Sequence, residues 1–226
     1  MLRRKRFWFA IMAILPTFAI FGWVRLFPII ETLRLSMHEW NLLSKNKPFV
    51  GFQNFIELFG DNQFLDALSN TAIIAFGAMA VTIPMSLVLA AIIYHRTRSR
   101  FAGFYETAVF IPHVVSLVPA AMAWKWIFDA KLGPLNAVIV GLGGNALPWL
   151  FDPVLSVICI ILLVSWQTLG YGVLIYLVGF RNLPKSVFEA AQLDGASGVQ
   201  SFLYMSAPLL KPITLYVSVV TLISGF

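Results

Sequence analysis

The sequence has few charged residues and almost no cysteine. Only 12% of its 226 residues are Asp, Glu, Lys or Arg, whereas an average soluble domain has roughly 25%. The single Cys159 excludes an internal disulfide and a zinc site built from thiolates. The three histidines are scattered without the paired spacing of a metal site. No glycine is followed by lysine, so the chain lacks the G-x-x-x-x-G-K-[ST] phosphate loop and is not an ATPase by that route.

Apolar residues are abundant instead. They make up 59% of the chain, and the mean hydropathy is +0.83. A helix needs about 20 apolar residues to cross the hydrocarbon core of a bilayer. We therefore predict an all-α, polytopic membrane protein with one transmembrane domain over residues 1–226. Five segments qualify or nearly do: 7–30, 71–93, 107–128, 154–180 and one that starts near 213.

The two ends of the chain have distinct features. The basic start, MLRRKR, precedes an apolar stretch that is too long for a signal peptide and has no small-residue cleavage site, which indicates an uncleaved first span. The last apolar run, ITLYVSVVTLISGF, contains no stop signal. We expect this fifth span to be truncated at Phe226, with a sixth beyond it.

The basic residues indicate how the chain is oriented. Ten of them lie at residues 3–6, 96–100 and 181–211, against five in the alternate loops. Lys and Arg accumulate on the cytoplasmic side of spans, so we place the N-terminus in the cytoplasm of a prokaryotic cell. Because these residues lie at the ends of apolar segments, the net charge of +6 indicates orientation in a bilayer rather than a nucleic-acid partner.

A hydrophilic segment, residues 181–212, interrupts the apolar pattern. Its five charged residues would each cost about 2.5 to 3.5 kcal/mol at a helix centre, so the segment stays out of lipid. Ser186 with Glu189, and Ser197 with Gln200, have the spacing of capping boxes. Gly195 between them is a natural left-handed helix stop. We predict a cytoplasmic helix-turn-helix over about 185–207, which either binds a soluble partner or is a structural loop.

The spacing within this segment resembles the EAA motif of permease subunits of binding-protein-dependent ATP-binding cassette (ABC) importers. EAA at 189–191 is followed by three residues, Gly195, nine residues and MSAP at 205–208. The family pattern ends in I-x-L-P, so Met205 and Ala207 depart from it. The variant EAAQLDGA resembles the carbohydrate class, which includes maltose-type and glycerol-phosphate-type importers.

The resemblance implies a type I importer permease fold and half of a translocation pathway for a sugar or a polyol phosphate. It implies a second permease, an extracytoplasmic solute-binding protein and a cytoplasmic ATPase dimer that uses ATP, while this chain is a transporter subunit and not an enzyme. Glu189 would pair with a basic group of the ATPase, or only cap its own helix. The residues expected to contact the ATPase are Glu189, Ala190, Ala191, Asp194, Gly195 and Ala196.

Polar residues near the middle of the fourth apolar segment are candidates for the substrate pathway. Polar groups at that depth are costly and usually face protein or a water-filled cavity. Trp166 could stack on a sugar ring and Gln167 could bind its hydroxyls; alternatively, Trp166 packs between helices and Gln167 bridges to a neighbour. The candidates are Trp166, Gln167, Thr168 and Tyr171. His113 is predicted to be a hydrogen-bonded polar group rather than a ligand.

Three alternatives differ in function. A permease of the same family for a non-carbohydrate solute would have the same motif. An ion-coupled secondary transporter commonly has charged residues inside the membrane, whereas 71–93, 154–180 and 213–226 contain none. A membrane enzyme requires titratable or nucleophilic groups gathered at one face, and the sequence gives no sign of them.

Overall fold

The structure, a computed structural model, describes residues 2–40, 47–96, 102–193 and 195–225. Within these ranges the regular secondary structure is helical, apart from one isolated bridge between His38 and Phe49. The chain divides into two compact units, Met1–Ala67 and Leu68–Phe226.

The first unit contains two apolar helices that form one long helical stretch, followed by a short amphipathic helix. A π-helical turn, Gly22–Leu26, joins the first two helices without a break. After the second helix, the side-chain amide of Asn54 donates to the carbonyl oxygens of Ser36 and His38, at 2.8 and 3.0 Å, and so fixes the turn that follows. The helices are α1 (Leu2–Phe21), α2 (Phe27–Ser36) and α3 (Gln53–Gly60).

The second unit is built around a 29-residue helix, Pro153–Arg181. Asp152 begins this helix, because its carboxylate accepts hydrogen bonds from the amides of Val154 and Leu155. The first helix of this unit begins at Asn62, a few residues before the unit itself begins at Leu68. The helices are α4 (Asn62–Arg96), α5 (Ala102–Val114), α6 (Leu117–Ile127), α7 (Pro134–Gly141), α8 (Pro153–Arg181), α9 (Lys185–Leu193), α10 (Gly198–Ser201), α11 (Ala207–Leu209) and α12 (Lys211–Gly225), with a π-helical turn at Phe202–Ser206.

Three helices among the described residues are long and apolar enough to cross a membrane: Trp8–Ser36, Asn62–His95 and Pro153–Arg181. Two bent helix pairs pass the same test when their halves are taken together: Gly103–Val114 with Leu117–Ile127, and Gly198–Leu209 with Lys211–Gly225. Counting each pair as one span gives at most five candidates. The first half of the second pair lies in the hydrophilic segment that was predicted to stay out of lipid, so only Lys211–Gly225 corresponds to the predicted fifth span.

The third predicted span, 107–128, is not one continuous helix. It bends by 95° between α5 and α6, where Ser116 has an extended backbone with ψ of 141°. Pro112 and Pro119 flank the break. Pro119 has no amide hydrogen to donate to the Val115 carbonyl oxygen four residues earlier, and its ring would clash with that carbonyl in a continuous helix. Prolines do not always break a helix, however, since α4 runs through Pro84.

Helix α8 packs closely against three neighbours because it has glycines at the contacts. A Cβ at Gly170 would overlap the Val109 carbonyl oxygen of α5, and one at Gly172 would lie 2.9 Å from Ser86 of α4. At Gly179 the neighbour is α12. Small residues allow helix backbones to approach in a membrane. The buried core around α8 consists of Ala90, Ala91, Ile93, Val173, Tyr176, Leu177, Phe180, Leu210 and Val217.

Candidate coupling and translocation sites

Gly195 separates the two helices of the hydrophilic segment. Its φ of +78° lies in the left-handed region that glycine adopts without strain. The Ala196 amide donates to the Ala191 carbonyl oxygen at 2.9 Å, which is the six-to-one hydrogen bond of a Schellman motif. Helix α9 therefore ends where the sequence predicts, and the chain turns towards α10.

The second predicted capping box is confirmed and the first is wrong. The Ser197 amide donates to Gln200 Oε1 at 2.8 Å, and the Gln200 amide donates to Ser197 Oγ at 3.3 Å. Helix α9, in contrast, begins at Lys185. Ser186 thus lies inside its first turn, where its backbone is already helical, and is not the residue that caps it.

The residues of the EAA motif differ in exposure. Glu189 and Ala190 are exposed, whereas Ala191 is only 1% exposed and packs inward. Gly195 is exposed and Ala196 is half-buried. Asp194, the remaining predicted contact, lies outside the described residues.

A shallow, open depression lies beside the turn, with a volume of about 370 Å³. Met205, one of the two departures from the family pattern, is half-buried in its wall. The depression opens next to the glycine that separates the helices, so it is part of the surface that the segment presents. Its lining residues are Gly195, Ala196, Gln200, Tyr204 and Met205.

The polar residues in the middle of α8 contact the bent pair of helices α5 and α6, which we call the broken span. Gln167 Nε2 donates to the Val115 carbonyl oxygen at 3.1 Å, and this carbonyl lies in the break between α5 and α6. The Trp166 ring meets the Trp124 ring of α6 edge to face, with centroids 5.7 Å apart. Both side chains thus pack between helices, the arrangement that the sequence left open as an alternative to substrate contact.

Thr168 points to a different neighbour. Its hydroxyl lies 3.2 Å from the Thr82 hydroxyl of α4 and donates to the Val164 carbonyl oxygen at 2.8 Å. Thr82 is fully buried. Thr168 therefore ties α8 to α4, on a contact separate from that of Gln167.

Tyr171 brings together two residues that the sequence analysis did not place in the pathway. Its hydroxyl lies 2.7 Å from that of Tyr216 in α12. Its ring stacks on His113 of α5, with centroids 5.3 Å apart and an interplanar angle of 29°. His113 Nδ1 lies 3.2 Å from the Gln167 carbonyl oxygen. No spacing in the sequence links these three helices, and only the polarity of His113 and Tyr216 within apolar runs marks them.

The sequence is similar to those of known transport subunits. Residues 82–226 match the family described as "Binding-protein-dependent transport system inner membrane component". The lactose transport system permease protein LacF of Rhizobium radiobacter is 31% identical over 210 residues, which cover 92% of this chain and 69% of LacF. The sn-glycerol-3-phosphate transport system permease protein UgpA of Yersinia pseudotuberculosis is 29% identical over 221 residues, 97% of this chain and 74% of UgpA.

The fold is also similar to that of a solved transporter. A chain in the crystal structure of a bacterial ABC transporter involved in the import of the acidic polysaccharide alginate matches with a TM-score of 0.80 and 25% sequence identity. The match covers 96% of this chain and 73% of that chain. It confirms the predicted importer permease fold.

Proposed function

Because the chain belongs to the binding-protein-dependent transport system inner membrane components, we propose that it forms half of the pathway through which an ABC importer carries a sugar or a polyol phosphate. It is a multi-pass inner-membrane permease subunit. LacF and UgpA, the permeases of a lactose and an sn-glycerol-3-phosphate system, support this substrate class. A second permease would form the other half, and the N-terminus would be cytoplasmic.

The observation that carries the proposal is the Gly195 turn at the end of α9. The Schellman bond from Ala196 to Ala191 and the Ser197 capping box fix the angle between two short helices. Such a preformed element suits docking to a soluble subunit, because little conformational entropy is lost when it binds. We place a cytoplasmic ATPase dimer, which binds and hydrolyses ATP, against this segment.

The exposed motif residues would make the contact. Glu189 is available to pair with a basic group of the ATPase, and Ala190 is small enough for close approach. Gly195 and Ala196 would contribute through the depression that they line. Asp194, which precedes Gly195 in the sequence, is the remaining candidate for the contact. Ala191, which is buried, would hold the helix in place. When two ATPase subunits close, two such segments would move together and reorient the pathway as rigid bodies.

The substrate would reach the pathway from an extracytoplasmic solute-binding protein. We assign the middle of α8 to the pathway, with Trp166, Gln167, Thr168 and Tyr171 as its first candidates. Trp166 and Gln167 contact the broken span, and Thr168 contacts α4. Of the four, Tyr171 carries a hydroxyl whose partner is another hydroxyl at an exposed position.

Cross-linking of the assembled complex tests the ATPase contact. Ala190→Cys places a thiol on the exposed motif, and Asn145→Cys places one in the exposed loop after α7 as a matched control. A short reagent that joins a cysteine thiol to a lysine amine should link Ala190→Cys, but not Asn145→Cys, to the ATPase. The native Cys159 is buried. An assembled complex in which Ala190→Cys gives no cross-link, or both variants give the same one, would overturn the assignment.

A further inference from the structure

We propose that His113, Tyr171 and Tyr216 form a subsite that binds the hydroxyl groups of a neutral sugar ring. The subsite rests on the proposed transport function and deepens it. The three residues come from α5, α8 and α12. Tyr171 is the central one, since its ring stacks on His113 and its hydroxyl contacts that of Tyr216. Three helices thus place polar groups at one point.

The hydrogen-bond geometry decides which atoms remain for a ligand. A carbonyl oxygen has no proton to give, so His113 Nδ1, 3.2 Å from the Gln167 carbonyl oxygen, carries the hydrogen. In the neutral imidazole this leaves Nε2 with a lone pair as an acceptor. Of the two tyrosine hydroxyls 2.7 Å apart, one donates to the other, and the accepting hydroxyl keeps its own hydrogen for a third group.

Gln167 positions this subsite without contributing its amide to it. Its side chain donates to the Val115 carbonyl oxygen in the break between α5 and α6, and its own carbonyl accepts from His113. Gln167 therefore holds the broken span at both His113 and Val115. Because the Gln167 amide already donates to Val115, it is not free to bind a sugar hydroxyl. Tyr171, one turn further along α8, is therefore the residue of this helix that binds the sugar.

Exposure places the subsite on an open face of the helices. Tyr216 is 49% exposed and His113 is also exposed, while the neighbouring Gly170 and Gly172 are buried. Polar groups of membrane-spanning helices face protein or a water-filled cavity rather than lipid. We therefore infer that the face carrying His113, Tyr171 and Tyr216 points into the pathway.

A sugar hydroxyl matches this set of groups. It can donate to His113 Nε2 and accept from a tyrosine hydroxyl at the same time, and aromatic rings provide apolar surface for the C–H face of the sugar. A phosphate group fits worse, because its oxygens and the Nε2 lone pair are all acceptors. The subsite should thus favour a neutral sugar over sn-glycerol 3-phosphate.

Two variants remove the ligand atoms and keep the packing. Tyr216→Phe keeps the ring and removes the hydroxyl. His113→Asn keeps a donor near the position of Nδ1, and so the bond to Gln167, but removes the Nε2 acceptor. Tyr105→Phe, at an exposed tyrosine of α5, is the matched control.

The test is initial uptake into proteoliposomes that contain the complete importer with its binding protein. The probes are radiolabelled lactose, arabinotriose and sn-glycerol 3-phosphate. We expect uptake of at least one neutral sugar. Tyr216→Phe and His113→Asn should each lower its maximal uptake rate about 5- to 10-fold, the effect of losing roughly one hydrogen bond, while Tyr105→Phe leaves it unchanged. Assembly is checked by the amount of ATPase retained on the purified complex.

Each other outcome has a definite meaning. Normal sugar uptake in both assembled variants overturns the subsite and leaves the proposed function intact. Uptake of sn-glycerol 3-phosphate alone also overturns the subsite only. Uptake of none of the three probes by the unsubstituted importer overturns the proposed substrate class together with the subsite. If one variant fails to assemble, the other decides.

Discussion

The guanidinium of Arg181 pairs with the carboxylate of Glu106, and this ion pair joins the last turn of α8 to the first half of α5. Arg181 lies four residues before helix α9. If the helix-turn-helix at about 185–207, the coupling segment, moves and displaces the end of α8, this ion pair pulls α5, the first half of the broken span, along with it.

Breaking this ion pair should weaken coupling more than stability. Glu106→Gln and Arg181→Gln are expected to lower uptake per ATP hydrolysed, and the exchanged pair Glu106→Arg with Arg181→Glu should restore part of it. The pair is partly exposed, so the loss of stability should be small, about 0.5 kcal/mol. Glu31→Gln, which breaks the Glu31–Arg34 pair within one helix, is the control. Equal effects of Glu31→Gln and Glu106→Gln on coupling would contradict the expectation.

Gly170→Ala should destabilise the contact between α8 and α5. The added Cβ would overlap the Val109 carbonyl oxygen, and main-chain atoms cannot rotate away, so we expect a loss of about 1 to 3 kcal/mol. Gly103→Ala is the matched control, because a Cβ there meets nothing within 4 Å. Thermal unfolding in detergent measures both. An unfolding temperature for Gly170→Ala as high as that for Gly103→Ala would show that the helices are not this close.

Asn136 should be the residue that holds the loop between α6 and α8. It is 3% exposed; its amide donates to the carbonyl oxygens of Ala130 and Leu147, and its oxygen accepts from the Leu147 amide and from Trp149 Nε1. Asn136→Ala leaves these groups unpaired, and we expect a loss of about 3 kcal/mol.

The exposed Asn145 of the same loop provides the control for Asn136. Asn145→Ala should leave the unfolding temperature within about 2 °C of the original protein, since surface substitutions usually change stability by less than about 0.5 kcal/mol. Similar losses in both variants would mean that the loop does not depend on Asn136.

Asp129 should make stability depend on pH in the acid range. Backbone hydrogen bonds from Leu132 and Lys131 lower the pKa of this carboxyl in the folded protein. The charged form therefore stabilises the fold at pH values above its ordinary pKa of about 3.9, and this contribution is lost as the pH falls through the lowered folded value. Asp129→Asn should lower the unfolding temperature at pH 7 but not near pH 2. A difference that stays the same at both pH values would contradict this.

Features that depend on local sequence were predictable. Span length follows from hydrocarbon thickness, and α8 covers Pro153–Arg181 where 154–180 was expected. Gly195 and the Ser197 capping box were also correct, because both depend on residues within one turn. The predicted Ser186 capping box was wrong, also for a local reason. Helix α9 begins at Lys185, so Ser186 lies inside the first turn, where its spacing to Glu189 is the same.

Features that depend on tertiary contacts were not predictable. The sequence places prolines in both α4 and the third span, yet only the third span breaks, and there Gln167 of α8 satisfies the Val115 carbonyl. Likewise, Tyr171 and Tyr216 are 45 residues apart. No periodicity in the sequence brings them to the same point.

ATP-dependent uptake of labelled sugar by the reconstituted importer, measured together with ATP hydrolysis, directly tests whether the Gly195 turn couples transport to an ATPase. We predict uptake that requires the ATPase subunit and is abolished by Glu189→Lys or Gly195→Val. Gly198→Ala, at an uncrowded position with ordinary backbone, should transport normally. Uptake that proceeds without the ATPase, or that Glu189→Lys and Gly195→Val leave unchanged in an assembled complex, would contradict it.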